Sequence, residues 1–197
     1  VAVDMQGNIY ATDSLAHAIY KIDVIGKKSV LVQSEQFKGE GFTLNGIVAH
    51  PNGFLLVAKK SDGKLFRVPL DAPEKVVEVK LTEPINAADG ILLAGDDLVV
   101  IRNRTAKVVA NEIVVLRSVD GWTSAIIAGR RPQNDNYPTT ATLRGHEIMT
   151  VASHLNALTS ILKENPSGLG REFQIYSIGK VRERQQTERG IKQPRKF

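Results

Sequence analysis

Short apolar stretches separated by glycine-containing turns recur along the chain. In four segments a short apolar strand leads into a tight turn with glycine, and a stretch rich in β-forming residues follows. The four turn glycines are 46, 42 and 50 residues apart: Gly7, Gly53, Gly95 and Gly145. This alternation predicts four β-hairpins, one in each copy of a sequence repeat.

Additional strand-forming stretches follow three of the hairpins at a similar interval. Residues 19–22, 65–68 and 114–117 precede Asp23, Asp71 and Asp120, and residues 30–32, 76–79 and 124–127 come after these aspartates. Each aspartate is expected to begin a turn, because its side chain can bond nearby backbone amides. Four short strands in each repeat of about 47 residues predict an all-β fold, a β-propeller with about four blades.

Two segments depart from this pattern. Residues 129–137 are polar and without periodicity, which predicts a loop, whereas residues 153–165 place leucines at helical spacing and predict a short helix. The last predicted strand is 172–178. We therefore expect the blades to occupy residues 1–179 and residues 180–197 to form a flexible basic tail.

The net charge of +5 in this 197-residue chain lies in the tail. Residues 180–197 contain seven basic and two acidic side chains, and the remainder contains 19 of each sign. A neutral body has no field that would attract a polyanion, so we expect a small-molecule partner and no nucleic acid. The chain has no cysteine, and no apolar run is long enough to predict a membrane span.

The chain opens on Val1, inside the first strand of the first repeat and without an initiator methionine. This start predicts about two further blades upstream, in a six-bladed ring, and any signal peptide would already have been removed. The alternative is a closed ring of four blades. A partner chain or the missing segment would then cover the open strand edges. The compartment stays open, and a secreted or extracytoplasmic location is compatible with the sequence.

The residues of the inner strands resemble a known family. The segments 43–57 (Thr-Leu-Asn-Gly-Ile-Val-Ala-His-Pro-Asn-Gly-Phe-Leu-Leu-Val), 87–91 (Ala-Ala-Asp-Gly-Ile) and 3–14 resemble the gluconolactonase and regucalcin (senescence marker protein) superfamily. The Pro-Thr-Thr-Ala sequence at 138–141 is similar to that of plant and bacterial members. The resemblance covers residues 1 to about 178. It implies a six-bladed propeller of the calcium-dependent phosphotriesterase-like type.

The resemblance also implies a divalent cation on the propeller axis. Its ligands would be an Asn before a Gly, an Asp before a Gly one blade later, and a Glu in the first blade. Asn45 and Asp89 match the first two positions, and the Glu position lies upstream of Val1. Calcium is the expected ion, with magnesium, manganese or zinc as alternatives, and Asp135 is a candidate substitute ligand.

The chemistry of these residues leaves two interpretations open. Asn45 and Asp89 offer hard oxygen ligands, and a cation there would polarise a lactone carbonyl or activate a water, with Asp89 as catalytic base. Thr139 and Thr140, at the start of a later inner strand, are expected to contact substrate. Asn-Gly and Asp-Gly are also turn dipeptides, however, and in turns they would carry no chemistry.

Other reactive residue types form no pattern in the sequence. The four histidines lack metal-ligand spacing, and no serine lies in a Gly-x-Ser-x-Gly setting. The triplet Asn103-Arg104-Thr105 is a glycosylation acceptor that would matter only in a secreted protein. Three functions therefore stay open. They are a metal-dependent hydrolase of lactones or other esters, a non-catalytic propeller that binds small molecules or proteins, and a strictosidine-synthase-like enzyme.

Overall fold

The computed structural model describes residues 1–133, 137–153, 155 and 174–180, the last range by its backbone. This part of the chain forms four antiparallel sheets, which we number as blades in chain order. Blade one contains β1 (Ala2–Val3), β2 (Ile9–Asp13), β3 (Ala18–Ile22) and β4 (Lys28–Gln33). Blade two contains β5 (Leu44–His50), β6 (Phe54–Lys59), β7 (Leu65–Pro69) and β8 (Val77–Glu78).

The next two blades repeat this order with small changes. Blade three contains β10 (Ala88–Ala94), β11 (Asp97–Arg104), β12 (Val109–Arg117) and β13 (Ser124–Pro132), with β9 (Lys80–Leu81) added in parallel beside β13. Blade four contains β14 (Pro138–Arg144), β15 (Glu147–Ala152) and β16 (Gln174–Lys180). A 3-10 turn, Glu35–Phe37, connects blades one and two. The meander sheets confirm the predicted all-β propeller fold with about four blades.

The core consists of apolar layers between neighbouring blades. The central strand β6 is buried along its whole length because it contributes to two layers. Leu55 and Val57 pack towards blade one, and Leu56 and Ala58 pack towards blade three. A fully buried leucine contributes about 2 kcal/mol, so this two-sided burial is a main source of stability. It also explains why the strand is a continuous apolar run and not an alternating one.

The predicted turns lie where the repeat placed them. Gly7, Gly53, Gly95 and Gly145 connect the first two strands of their blades with φ values of +87°, +79°, +64° and +60°. Only glycine adopts this left-handed region at no steric cost, which explains its recurrence. Asp23 accepts hydrogen bonds from the amides of Ile25 and Lys27, so its predicted role as a turn former is confirmed.

Four predictions of local structure differ from the structure or lie outside the described residues. The predicted loop 129–137 is wrong in its first part, because β13 continues to Pro132. There Arg130 pairs with Glu112 on β12 and with Glu83. The predicted strand 172–178 is observed at Gln174–Lys180. The predicted helix 153–165, apart from residues 153 and 155, and the tail after Lys180 lie outside the described residues.

Candidate functional site at the inner edge of the blades

The first strand of three blades carries an irregularity at the same place. The pairing of β5 with β6 shifts between Leu44 and Ile47, and that of β10 with β11 shifts between Ala88 and Ile91. In each case the two residues Asn45-Gly46 or Asp89-Gly90 stand opposite one residue of the partner strand, which is a β-bulge. The pairing of β14 with β15 shifts at Thr139. We call Asn45, Asp89 and Thr139 the axial row.

The glycines of these bulges allow neighbouring first strands to touch. A Cβ atom on Gly46 would lie 2.3 Å from the carbonyl oxygen of Asp89, and one on Gly90 would lie 2.6 Å from that of Thr139. No side chain fits in either place. Asn45 and Asp89 therefore lie in strands, on neighbouring blades and side by side. The alternative that they are turn residues is wrong, since neither glycine has a positive φ.

A chain of backbone hydrogen bonds passes from blade to blade next to the axial row. The amide of Thr43 donates to the Ser14 carbonyl (3.4 Å), and the amide of Lys60 donates to Thr43 (2.7 Å). The amide of Ala87 then donates to Lys60 (3.0 Å), and that of Asn103 donates to Ala87 (3.1 Å). The chain fixes the spacing of the blades at this edge, because each bond satisfies buried polar groups.

Two residues that precede the axial row have strained backbones. Ala87 and Tyr137, each two residues before a member of the row, have φ values of +63° and +48°. This conformation is energetically unfavourable for residues other than glycine, and such strain is concentrated at functional sites. Burial, followed by the charge of Asp89, raises the pKa of the Tyr137 hydroxyl. The phenol is therefore neutral near pH 7, within the electrostatic reach of Asp89.

The Asp89 carboxylate is held on one side by two buried side chains. Its Oδ2 accepts a hydrogen bond from the Lys60 ammonium at 2.9 Å and another from the amide of Asn103. The ammonium also donates to Oδ1 of Asn103 at 2.6 Å, and the Asn103 amide donates to the Pro138 carbonyl at 2.9 Å. This cluster joins blades two, three and four. Asp89 is thus fixed through Oδ2, and its Oδ1 forms no hydrogen bond with the described residues.

Asn45 differs from Asp89 in having a free side chain. Its backbone carbonyl accepts a 2.6 Å hydrogen bond from the Thr12 hydroxyl, which ties it to blade one. Its half-buried side-chain amide makes no hydrogen bond with any residue that the structure describes. An amide and a carboxylate on neighbouring strands present one donor group and two kinds of oxygen acceptor. Such a pair can bind a polar molecule with defined orientation.

Thr139 and Thr140 lie at the next position around this edge. Thr139 is half-buried and Thr140 is exposed. Gly90 packs against the backbone of both residues and against the Thr140 hydroxyl. The Thr140 carbonyl accepts a hydrogen bond from the Thr150 hydroxyl at 2.9 Å. The structure therefore brings the predicted residues Asn45, Asp89 and Thr139 onto neighbouring strands, and it leaves their predicted roles as proposals. Asp135 lies outside the described residues.

Two residues of the site, Lys60 and Asn103, were missed by sequence reasoning. A signal exists, because each is a polar residue seven or eight positions after a turn glycine, at the end of a buried second strand. Ser14 and Ser153 occupy the same position in the other repeats. Glycosylation of Asn103 in the folded protein is excluded, because the residue is fully buried.

The axial row offers few ligands to the expected cation. With the Lys60 ammonium on Oδ2 of Asp89, Asn45 and Asp89 leave two oxygen ligands for a cation, whereas calcium takes six to eight. Within the described ranges, no group of three or more acidic, histidine or cysteine side chains could hold a metal ion. The Lys60 ammonium also lies beside the only carboxylate of the row. The residues present do not fit a resident divalent cation.

Comparisons with known proteins support the fold. No family model and no curated protein sequence match the chain. Among solved structures, the major allergen Mala s 1 of Malassezia sympodialis is similar with a TM-score of 0.64 and 18% identity, over 89% of this chain and 54% of the allergen. Virginiamycin B lyase from Staphylococcus aureus is similar with a TM-score of 0.54 and 19% identity, over 76% of this chain and 46% of the lyase.

A third structure, the nidogen/laminin complex, has a TM-score of 0.54 and 18% identity, over 76% of this chain and 53% of the matched chain. At these identities the likeness shows the fold alone: the protein is a β-propeller. The chain spans about half the length of the solved structures that it matches. In the ranges that the structure describes, no helix has the length and apolar content needed to cross a membrane.

Proposed function

We propose that the axial row binds a small polar molecule and that the protein is a ligand-binding propeller. The observation that carries the proposal is the free side-chain amide of half-buried Asn45, on the strand next to the one whose Asp89 carboxylate is fixed by Lys60 and Asn103. The Asn45 amide is not among the buried unpaired side-chain atoms of the described residues, so it is accessible to a ligand. On a bulged strand next to the strand of a pre-oriented carboxylate, it can bind the polar groups of a ligand.

The class of ligand follows from the groups that the row offers. Asn45 supplies an amide that both donates and accepts, and Oδ1 of Asp89 accepts. A molecule with hydroxyl groups and a carbonyl, such as a sugar-derived lactone, matches these groups. The neutral body gives no reason to expect a polyanion.

Hydrolysis of a lactone or other ester is the second candidate, and the free Oδ1 of Asp89 favours it. Asp89 would take a proton from a water molecule, the water oxygen would add to the ester carbonyl, and the alkoxide leaving group would accept a proton as the bond breaks. This assigns to Asp89 the role of a general base. This step needs a water molecule and no protein group other than Asp89. Ester hydrolysis is also the reaction class that the resemblance to gluconolactonases implies.

Binding is tested by titrating D-glucono-1,5-lactone into the protein in buffer with a chelator. We expect Asn45→Ala to raise the dissociation constant about tenfold, because the variant loses one or two hydrogen bonds to the ligand. Asn52→Ala, in the exposed β5–β6 turn, is the matched control and should bind normally. Unchanged binding in Asn45→Ala, or no binding by the wild type to the lactone, would refute the axial site for this ligand class.

Catalysis is tested with the same lactone and with 4-nitrophenyl acetate. If Asp89 is a general base, Asp89→Asn should lower the rate of hydrolysis at least about a hundredfold. Wild-type binding of the lactone without turnover of either ester would leave the binding function and eliminate the hydrolase.

A further inference from the structure

Lys60 holds an unusual place for a lysine. Its backbone amide and carbonyl are both used in the hydrogen-bond chain between blades, to Thr43 at 2.7 Å and from Ala87 at 3.0 Å. Its side chain is 10% exposed, and the ammonium is bonded to Asp89 and Asn103. Lysine is seldom buried unless it is paired, because removing its charge from water is costly. The ammonium therefore has a fixed position at the inner edge.

The Lys60 ammonium donates hydrogen bonds to oxygen atoms that could otherwise bind a metal ion. Oδ2 of Asp89 lies 2.9 Å from Nζ, and Oδ1 of Asn103 lies 2.6 Å from it. Carboxylate and amide oxygens are the ligands that calcium and magnesium prefer. A divalent ion at Asp89 would have to displace Lys60 or bind next to a charge of the same sign, which repels it.

We propose that the Lys60 ammonium is the permanent positive charge of the axial row, so that the site binds its ligand without a divalent cation and excludes one. The inference deepens the proposed function, because it concerns the same site. The ammonium neutralises Asp89 and keeps Oδ2 occupied, while Oδ1 and the Asn45 amide face a ligand that carries no metal.

The neighbouring Lys59 provides a matched control. It is also buried, but its ammonium donates to the carbonyl of Lys38 at 2.6 Å and to that of Gln36 at 3.2 Å, and it pairs with Asp62 at 2.9 Å. None of these groups belongs to the axial row. Replacing Lys59 thus removes a buried lysine and its pairing but leaves the row unchanged.

The experiment measures the melting temperature and calorimetric binding of calcium and manganese for five proteins. They are the wild type, Asp89→Asn, Lys60→Met, Lys59→Met and the double variant Lys60→Met/Asp89→Asn, each compared with sodium chloride at matched ionic strength. Ligands that bind the native state raise its melting temperature by mass action. We expect a cation-dependent rise in Lys60→Met alone, because that variant frees oxygens of Asp89 and Asn103. The wild type, Lys59→Met and the double variant should show none.

The wild-type result is decisive by itself. A calcium- or manganese-dependent rise that Asp89→Asn removes would overturn the proposal, since the cation would then bind despite Lys60. If Lys60→Met does not fold, Lys60→Gln takes its place; folded Lys60 variants that gain no cation binding would also overturn it. If neither variant folds, an unresponsive wild type supports the proposal. Lactone binding in chelator tests the proposed function separately, because it can fail while the cation results stand.

Discussion

The dipeptide Asp-Gly occurs at two places in blade three with opposite structures. At Asp120-Gly121 the glycine has a φ of +71°, and the carboxylate accepts hydrogen bonds from Ser118, Thr123 and Ser124, within four residues. At Asp89-Gly90 the dipeptide lies inside β10. There the carboxylate is bonded to Lys60, 29 residues away, and to Asn103, 14 residues away.

Blade two contains the same contrast for Asn-Gly. Asn52-Gly53 forms the β5–β6 turn, whereas Asn45-Gly46 lies in a bulge of β5 against the next blade. The Asp120 carboxylate is satisfied within its own turn, so its role ends there. In the bulges, the Asp89 side chain is held by residues distant in sequence, and the Asn45 side chain is free. A binding site needs both fixed groups and groups available to a ligand. The two settings of one dipeptide thus separate a local structural role from a candidate functional role.

The largest effect expected from this contrast is on stability at the two glycines. Gly90→Ala should cost about 3 kcal/mol or more, because the new Cβ atom would meet the backbone of Thr139 and Thr140. Gly121→Ala should cost about 1 kcal/mol, since space is open there and only the positive φ is unfavourable. Urea denaturation measures both. Equal losses would mean that the close approach of β10 and β14 is not formed.

A smaller difference is expected between the two aspartates. Asp89→Asn should lower the free energy of unfolding by about 2 kcal/mol, because it leaves the buried Lys60 ammonium without a counter-charge. Asp120→Asn should change it much less, since that carboxylate is exposed and its replacement still accepts a hydrogen bond. Urea denaturation of the two variants measures this difference in the free energy of unfolding. A larger loss for Asp120→Asn would contradict the assignment of Asp89 to an inter-blade cluster.

The smallest effect concerns the titration of Asp120. Hydrogen bonds, first from the Ser124 side chain, lower the pKa of Asp120 from 3.8 to about 2. A lowered native pKa adds stability that is present above pH 3.8 and is lost as the pH falls through 2. Ser124→Ala should raise this pKa towards 3.8 and shift the loss to higher pH. NMR titration of the carboxyl group measures it; an unchanged pKa would show that the turn does not hold the carboxylate.

The sequence predicted the repeat and the turns because both depend on local chemistry. Left-handed glycines such as Gly53, and aspartates that accept from nearby amides such as Asp23, leave a signature within a few residues. The all-β propeller followed from their spacing. The position of Asn45 and Asp89 on neighbouring inner strands followed from the same spacing, although the dipeptides alone also allowed turns.

The partners of Asp89 could not be predicted in the same way. Lys60 is brought to it by the packing of blade two against blade three, and Asn103 by the pairing of β10 with β11. Their polarity at the end of a buried strand was visible, but nothing local assigned them to a carboxylate in the next blade or in the next strand. The extension of β13 to Pro132 was missed for a similar reason. Its polar residues are held by cross-strand ion pairs such as Arg130 with Glu112, which leave no periodic pattern.

The most direct test of ligand binding at the axial row compares two side-chain amides by nitrogen–proton NMR during titration with D-glucono-1,5-lactone in buffer with a chelator. We expect the Asn45 amide signals to shift until the protein is saturated and those of Asn52 to stay in place. Asp89→Asn should weaken the binding. Shifts confined to Asn52 and the turn glycines, or saturable binding that leaves Asn45 unmoved, would contradict the claim that the axial row is the ligand site.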